Sequence, residues 1–149
     1  MPIYVEDTIA DLDALNLRIS AATKQSVADV LHMFQASAME KAPIGTPRNS
    51  TNAPGDLSRS IEVTGPDGSD GSYNGLVGPT TVYGRQRELG GDIYPVYATR
   101  LRFEKFGEVV HTFHVYQVPE PYLLPAEEEN LVNVLPIAEA RIAEALATG

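Results

Sequence analysis

The residues that could do chemistry in this 149-residue chain are few. Three histidines come first: His32, and the pair in His111-Thr112-Phe113-His114. Strand residues three apart point to opposite faces, so His111 and His114 cannot both ligate one ion. His32 lies in a helical pattern with no Glu-x-x-His around it. A serine nucleophile needs a positioned base and an oxyanion hole. No Gly-x-Ser-x-Gly occurs, and Ser69 of Gly68-Ser69-Asp70-Gly71 belongs to a turn cluster, where Ser and Asp are expected for turn reasons alone. Neither Gly90-Gly91 nor Gly107 is followed by Gly-Lys-Ser/Thr, so no phosphate loop is present. With no cysteine there is no thiolate, no disulfide and no Cys-based zinc or iron–sulfur site. Glu127, Glu128 and Glu129 could in principle do acid–base work, but they read more simply as the solvated first turn of a helix. The expectation is a protein that is not an enzyme, with no catalytic residues, no metal site and no cofactor.

Arg85 and Arg87 flank Gln86 just after Tyr83-Gly84. On a strand they would share one face, which suits either a protein interface, where Arg is enriched, or a solvated strand face.

The length fits one domain spanning 1–149 with a real core. Hydrophobic residues make up 43% and charged residues 21%, the balance of a soluble globular protein. No run approaches the ~18 to 20 apolar residues of a membrane span, and no membrane partner is expected. No basic n-region leads into an apolar h-region at Met1–Asp7, so no signal peptide is expected. The 11 basic and 20 acidic residues give a net charge of −9, which speaks against binding a phosphate backbone. Residues 1–40 carry −4, residues 41–119 are neutral, and residues 120–149 carry −5.

These residues need elements to position them. Ile9, Leu12, Leu15, Ile19 and Ala22, then Val27, Leu31, Phe34 and Ala38, recur every three or four positions and predict a long N-terminal helix. Glu6, Asp7 and Thr8 would cap its start, and Pro43 would end it. The Ala21-Ala22-Thr23-Lys24 stretch could divide it into two helices. Residues 43–56 read as an extended loop. A second turn cluster covers Gly65–Gly75. Ile61 and Val63 mark a short strand before it, and Leu76 and Val77 mark another that Gly78-Pro79 interrupts. Alternation predicts a β-hairpin at 99–116, turning at Lys105-Phe106-Gly107-Glu108, with Leu101, Phe103, Val109, His111, Phe113 and Val115 on alternate positions. One half-buried apolar face is expected. Pro119, Pro121 and Pro125 make 119–125 a proline-rich arm. Leu131, Leu135, Ala138, Ile142 and Ala145 predict a C-terminal helix packed on the sheet, with Pro136 either kinking it or starting a separate helix. The fold class is α+β.

Four pieces, taken in order, resemble a phage virion family. They are Ala38-Met39-Glu40-Lys41-Ala42-Pro43 leading to Gly45-Thr46, then Gly55-Asp56-Leu57-Ser58-Arg59-Ser60-Ile61, then Val82-Tyr83-Gly84 running to Arg87-Glu88-Leu89-Gly90-Gly91, and finally Pro121-Tyr122-Leu123-Leu124-Pro125-Ala126. Together they are similar to the neck, or tail-completion, proteins of long-tailed bacteriophages, also labelled minor tail components. In that family a helix ends in Ala-Lys-x-x-Ala-Pro, and Thr-Gly-x-Leu-x-x-Ser-Ile follows. Tyr-Ala, Glu-x-Gly and Pro-Phe-Leu-x-Pro-Ala then precede a C-terminal helix. The likeness spans about residues 25 to 147. Here Thr46 and Gly55 are separated, Gly84 stands for the usual Ala, Tyr122 stands for the usual Phe, and the 92–118 segment is longer than in the shortest members.

The resemblance implies a structural virion protein of the head-to-tail connector. It would form a ring, a hexamer by the sixfold symmetry of long tails, between the portal, adaptor and stopper on one side and the tail tube on the other. Assembly would take place in the bacterial host cytoplasm. A tail terminator capping the tube, or a cellular protein-binding module, are the alternatives. Arg85, Arg87, Tyr94, Tyr97 and Tyr122 are the expected interface anchors, because Arg and Tyr dominate hot spots. The 43–56 loop and the 119–125 arm would order on assembly. DNA would only pass through the channel. The C-terminal acids Glu127, Glu128 and Glu129 are the first candidates to line it, or they face solvent on the outside.

Overall fold

Among the described residues ten elements follow one another, beginning and ending with long helices. The structure is a computed structural model that describes residues 5–45 and 53–148, without the side chains of 5–7. The order is α1 (Val5–Lys41), α2 (Asp56–Arg59), β1 (Ile61–Ser69), β2 (Ser72–Pro79), α3 (Gly84–Leu89), β3 (Gly91–Ile93), β4 (Leu101–Lys105), β5 (Glu108–Thr112), β6 (Val115–Gln117) and α4 (Leu123–Ala147). The α+β expectation holds. The chain divides into two compact units: 1–34, 63–77 and 129–149 form one, and 35–62 and 78–128 form the other.

In the first unit α1 continues through Ala21–Lys24 without a break. The hydroxyls there stay inside the helix: Thr23 Oγ1 donates to the Ile19 carbonyl at 2.9 Å, and Ser26 Oγ to the Ala22 carbonyl at 2.8 Å. Ala22, Ser26 and Leu31 are buried. Helix α1 already runs at Val5, so Glu6, Asp7 and Thr8 lie within it rather than before it. The C-terminal helix α4 packs on the long helix and the sheet. It is pinned to α1 by Arg141, whose Nε donates to Asp29 Oδ2 at 2.7 Å. Pro136 lies inside α4, which is one helix from Leu123 to Ala147.

The expected turn cluster at 65–75 is a β-hairpin instead. β1 and β2 pair with each other, and only Asp70-Gly71 turns between them. Asp70 (φ 54) and Gly71 (φ 80) are both left-handed, as a type I′ turn requires. The glycines that suggested a loop serve close backbone approach. A Cβ on Gly65 would sit 2.8 Å from the Asn74 carbonyl oxygen, and one on Gly75 would overlap Leu31. β2 also runs through Gly78-Pro79, which does not interrupt it.

In the second unit β4 and β5 form the hairpin expected at 99–116, turning at Phe106-Gly107, both at positive φ. Two details differ. The register places Phe103 opposite Val110 and Arg102 opposite His111, so Leu101 and Phe103 share a face with Val110 and Thr112, not with Val109, His111 and Phe113. And β5 stops at Thr112. Val115–Gln117 joins a different sheet, antiparallel to β3, with Asp92 opposite Tyr116. The hairpin is not half-buried either: of its ten strand residues only Leu101, Val110 and Thr112 are partly covered.

Candidate functional site

The N-terminus of α4 follows Pro121 and Tyr122 and has no Ser, Thr, Asp or Asn of its own to cap it. Its free N–H groups need an acceptor from elsewhere. Glu88, in α3, supplies it. Oε2 accepts from the backbone N–H of Tyr122 at 2.7 Å and of Leu123 at 2.9 Å, and Oε1 accepts from Leu124 at 2.9 Å. The carboxylate also meets the positive end of the helix dipole. Beside it Tyr122 is fully buried, and its hydroxyl donates to the Gly84 carbonyl at 3.3 Å. Burial, with the nearby Glu88 and then Tyr83 charges adding to it, pushes the Tyr122 phenol up to about 12. Gly84 has room only for hydrogen: a Cβ there would overlap the Pro79 ring.

This arrangement corrects several expectations. Tyr122 is not a surface anchor, because its side chain closes the core of its own unit. Arg85 and Arg87 lie on helix α3, not on a strand, so they project about 200° apart rather than from one face. Arg87 instead holds the arm. Its Nη1 donates to Glu120 Oε2 at 2.7 Å, and the Glu120 N–H donates to the Arg87 carbonyl at 2.7 Å. The 119–125 arm is therefore docked within the single chain, and Pro125 already belongs to α4. Of the expected 43–56 loop, residues 46–52 lie outside the described residues, and Asp56 opens α2. Sequence reasoning missed Glu88. The missing cap of α4 called for an acceptor from elsewhere, but nothing local marks Glu88, which lies 34 residues before Tyr122.

Helix α4 begins four residues before Glu127, so Glu127, Glu128 and Glu129 sit in its second turn. All three are exposed. Tyr94 and Tyr97 are exposed as well, with Val96 between them. The Tyr94 ring stacks on His114 at 5.7 Å, and His114 Nε2 lies 3.9 Å from Asp92. His111 is on β5, opposite Arg102. No cluster of three potential metal ligands occurs among the described residues. Ser69 Oγ donates to Asp70 Oδ2 in its turn. Arg85 lines an open cleft of about 320 Å³ with Pro79, Thr81, Glu88, Leu89 and Leu123, where the Glu88 carboxylate is already committed to the helix N-terminus. No helix among the described residues is long and apolar enough to cross a membrane.

Large apolar side chains are exposed in each of the two units. Phe103, Phe106, Val109 and Phe113 of the β4–β5 region are all exposed, as are Ile9, Leu12 and Leu17 on α1. Comparison with protein-family models, curated proteins and solved structures finds no match to this chain.

Proposed function

We propose that this chain is a structural subunit of the head-to-tail connector of a long-tailed phage, a neck or tail-completion protein that works as a ring. One observation carries the reading. Every buried residue described in the second unit (Ala38, Ala42, Leu57, Ile61, Gly84, Tyr122 and Ala126) falls within one of the four sequence pieces on which the family resemblance rests. Hydrogen bonds join the first piece to the second and the third to the fourth. Ser58 Oγ donates to the Met39 carbonyl at 2.8 Å, Tyr122 to Gly84, and the α4 backbone to Glu88. The pieces thus supply the buried side chains of this unit and meet in pairs up to 38 residues apart, an arrangement compatible with the resemblance.

The surface supports the same reading. Large apolar side chains lie bare on the β4–β5 hairpin of the second unit and on the start of α1 in the first, where association would cover them. In the assembled neck the ring would sit between the adaptor or stopper and the tail tube, in a virion put together in the host cytoplasm. DNA would pass without being bound, and Glu127 and Glu128 would face it if the N-terminal turns of α4 border the channel. The experiment is deletion of the gene from its phage genome, followed by electron microscopy of the lysate. The reading expects filled heads and finished tails that fail to join. Normal infectious virions would overturn it.

A further inference from the structure

The start of α1 is bare. Every residue from Thr8 to Ala14 is exposed, and Ile9 (54%), Leu12 (60%) and Leu17 (71%) leave most of their side chains in water. Ile9, Asp13 and Leu17 form a row four residues apart on one helix face, with Leu12 beside it. Asp13 therefore stands inside an apolar stripe. A helical stretch of this length is marginal in water by itself and gains from a surface to lie on.

The β4–β5 hairpin presents the complementary pattern. Arg102 and His111 are opposite each other, as are Glu104 and Val109, and all four share one face. Arg100 lies over the Phe113 ring, 4.7 Å from its centroid. Val109 (51%) and Phe113 (60%), two residues to either side of His111 along the chain, are exposed. Glu104 is the one acid on this face, so the balance there is basic. Neither Asp13 nor Arg102 has an ion-pair partner among the described residues. A two-stranded hairpin with both faces in water is itself marginal.

We propose that the Ile9–Leu17 stripe of one copy docks on the Arg102 face of the β4–β5 hairpin of the next copy. Asp13 pairs with Arg102, and the helix leucines and Ile9 cover Val109 and Phe113. Two different patches of the same chain meet, so the contact is heterologous and propagates from copy to copy, closing where the rotation allows. The ring it would close is that of the connector reading, but the contact itself stands on these two surfaces.

A charge exchange in the full-length protein tests it, read by sedimentation velocity. Wild type is expected to associate. Asp13→Arg and Arg102→Asp, each at an exposed position and each checked for folding by circular dichroism, should weaken association by at least about tenfold. The double variant should recover most of it. The chain has no cysteine, which makes a second reading clean: Leu12→Cys combined with Val109→Cys should give a ladder of disulfide-linked oligomers on oxidation. A wild type that stays monomeric, single variants that associate normally, a double variant no tighter than the singles, or a cysteine variant that stays monomeric would each overturn the contact. None of these results depends on the phage phenotype. The gene deletion above tests the connector reading separately.

Discussion

The carboxylate of Glu88 accepts the backbone N–H of Tyr122 at 2.7 Å, across 34 residues of sequence. Through this bond and two beside it, a six-residue helix fixes where a 25-residue helix begins. A carboxylate cap on three N–H groups is stronger than a hydroxyl cap on one. Glu88→Ala should lower unfolding stability by about 2 kcal/mol, and Glu88→Gln by less, since the amide keeps one acceptor. Urea denaturation of the two variants checks this. Equal stability of wild type and Glu88→Ala would show that the cap is replaced by water at no cost.

Gly84→Ala should be destabilising, although alanine is the better helix former. The added methyl enters space held by the Pro79 ring and approaches the Tyr122 hydroxyl to 3.2 Å. Overpacking of this kind costs about 1–3 kcal/mol. A thermal melt falling well below that of wild type is the expected result. The absence of a Cβ at Gly84 and the Tyr122 hydroxyl 3.2 Å from where it would stand are expected to be coupled. Gly84→Ala should be milder when combined with Tyr122→Phe, which removes the nearby oxygen.

Alkaline pH should weaken the fold through Tyr122. Its folded value is raised from 10.0 to about 12. The folded state therefore holds this proton more tightly than the unfolded chain does. The stabilisation is complete below pH 10 and is lost as pH rises toward 12, in total roughly 2–3 kcal/mol. Tyr122→Phe cannot ionise, so its stability should be flatter across this range. Denaturation midpoints at pH 9, 10 and 11 for the two proteins measure the difference.

Acid should act on the other unit through Asp29. Hydrogen bonds from Arg141 and Gln25 hold its carboxyl below the ordinary 3.8. Its contribution is present above that value and is lost as pH falls through the lowered folded value. Asp29→Asn should be less stable than wild type at neutral pH, and the gap should close as the solution is acidified below about pH 4. A gap that stays constant with pH would show that the Asp29–Arg141 pair is fully screened.

Much of this architecture was legible in the residue order. Apolar positions three and four apart mark α1 and α4, but only part of each stripe is covered: Ala22, Leu31 and Ala38 are buried on α1, whereas Ile9 and Leu12 on α1 and Leu131 and Leu135 on α4 are exposed. The alternation around Phe106-Gly107 marks the β4–β5 hairpin because its turn needs left-handed residues. Three features were hidden. The Asp70-Gly71 hairpin was obscured by glycines at 65, 68 and 75 that resemble a loop, whereas Gly65 and Gly75 allow close packing of backbone and Leu31. Helix α3 is too short to show a period, so its arginines read as strand neighbours. Glu88 and Tyr122 act through contacts across 34 or more residues, which no local pattern records. The proposed anchors divide accordingly: Tyr94 and Tyr97 lie on the surface, Arg87 holds the arm, and Tyr122 belongs to the core.

Whether this chain is a ring subunit at the head-to-tail junction is decided by a cryo-electron microscopy reconstruction of the neck of virions that carry this protein. Density for rotationally related copies of this chain is expected between the head vertex and the tail tube, encircling the DNA path. A complete neck reconstruction whose every ring is accounted for by other chains would contradict it.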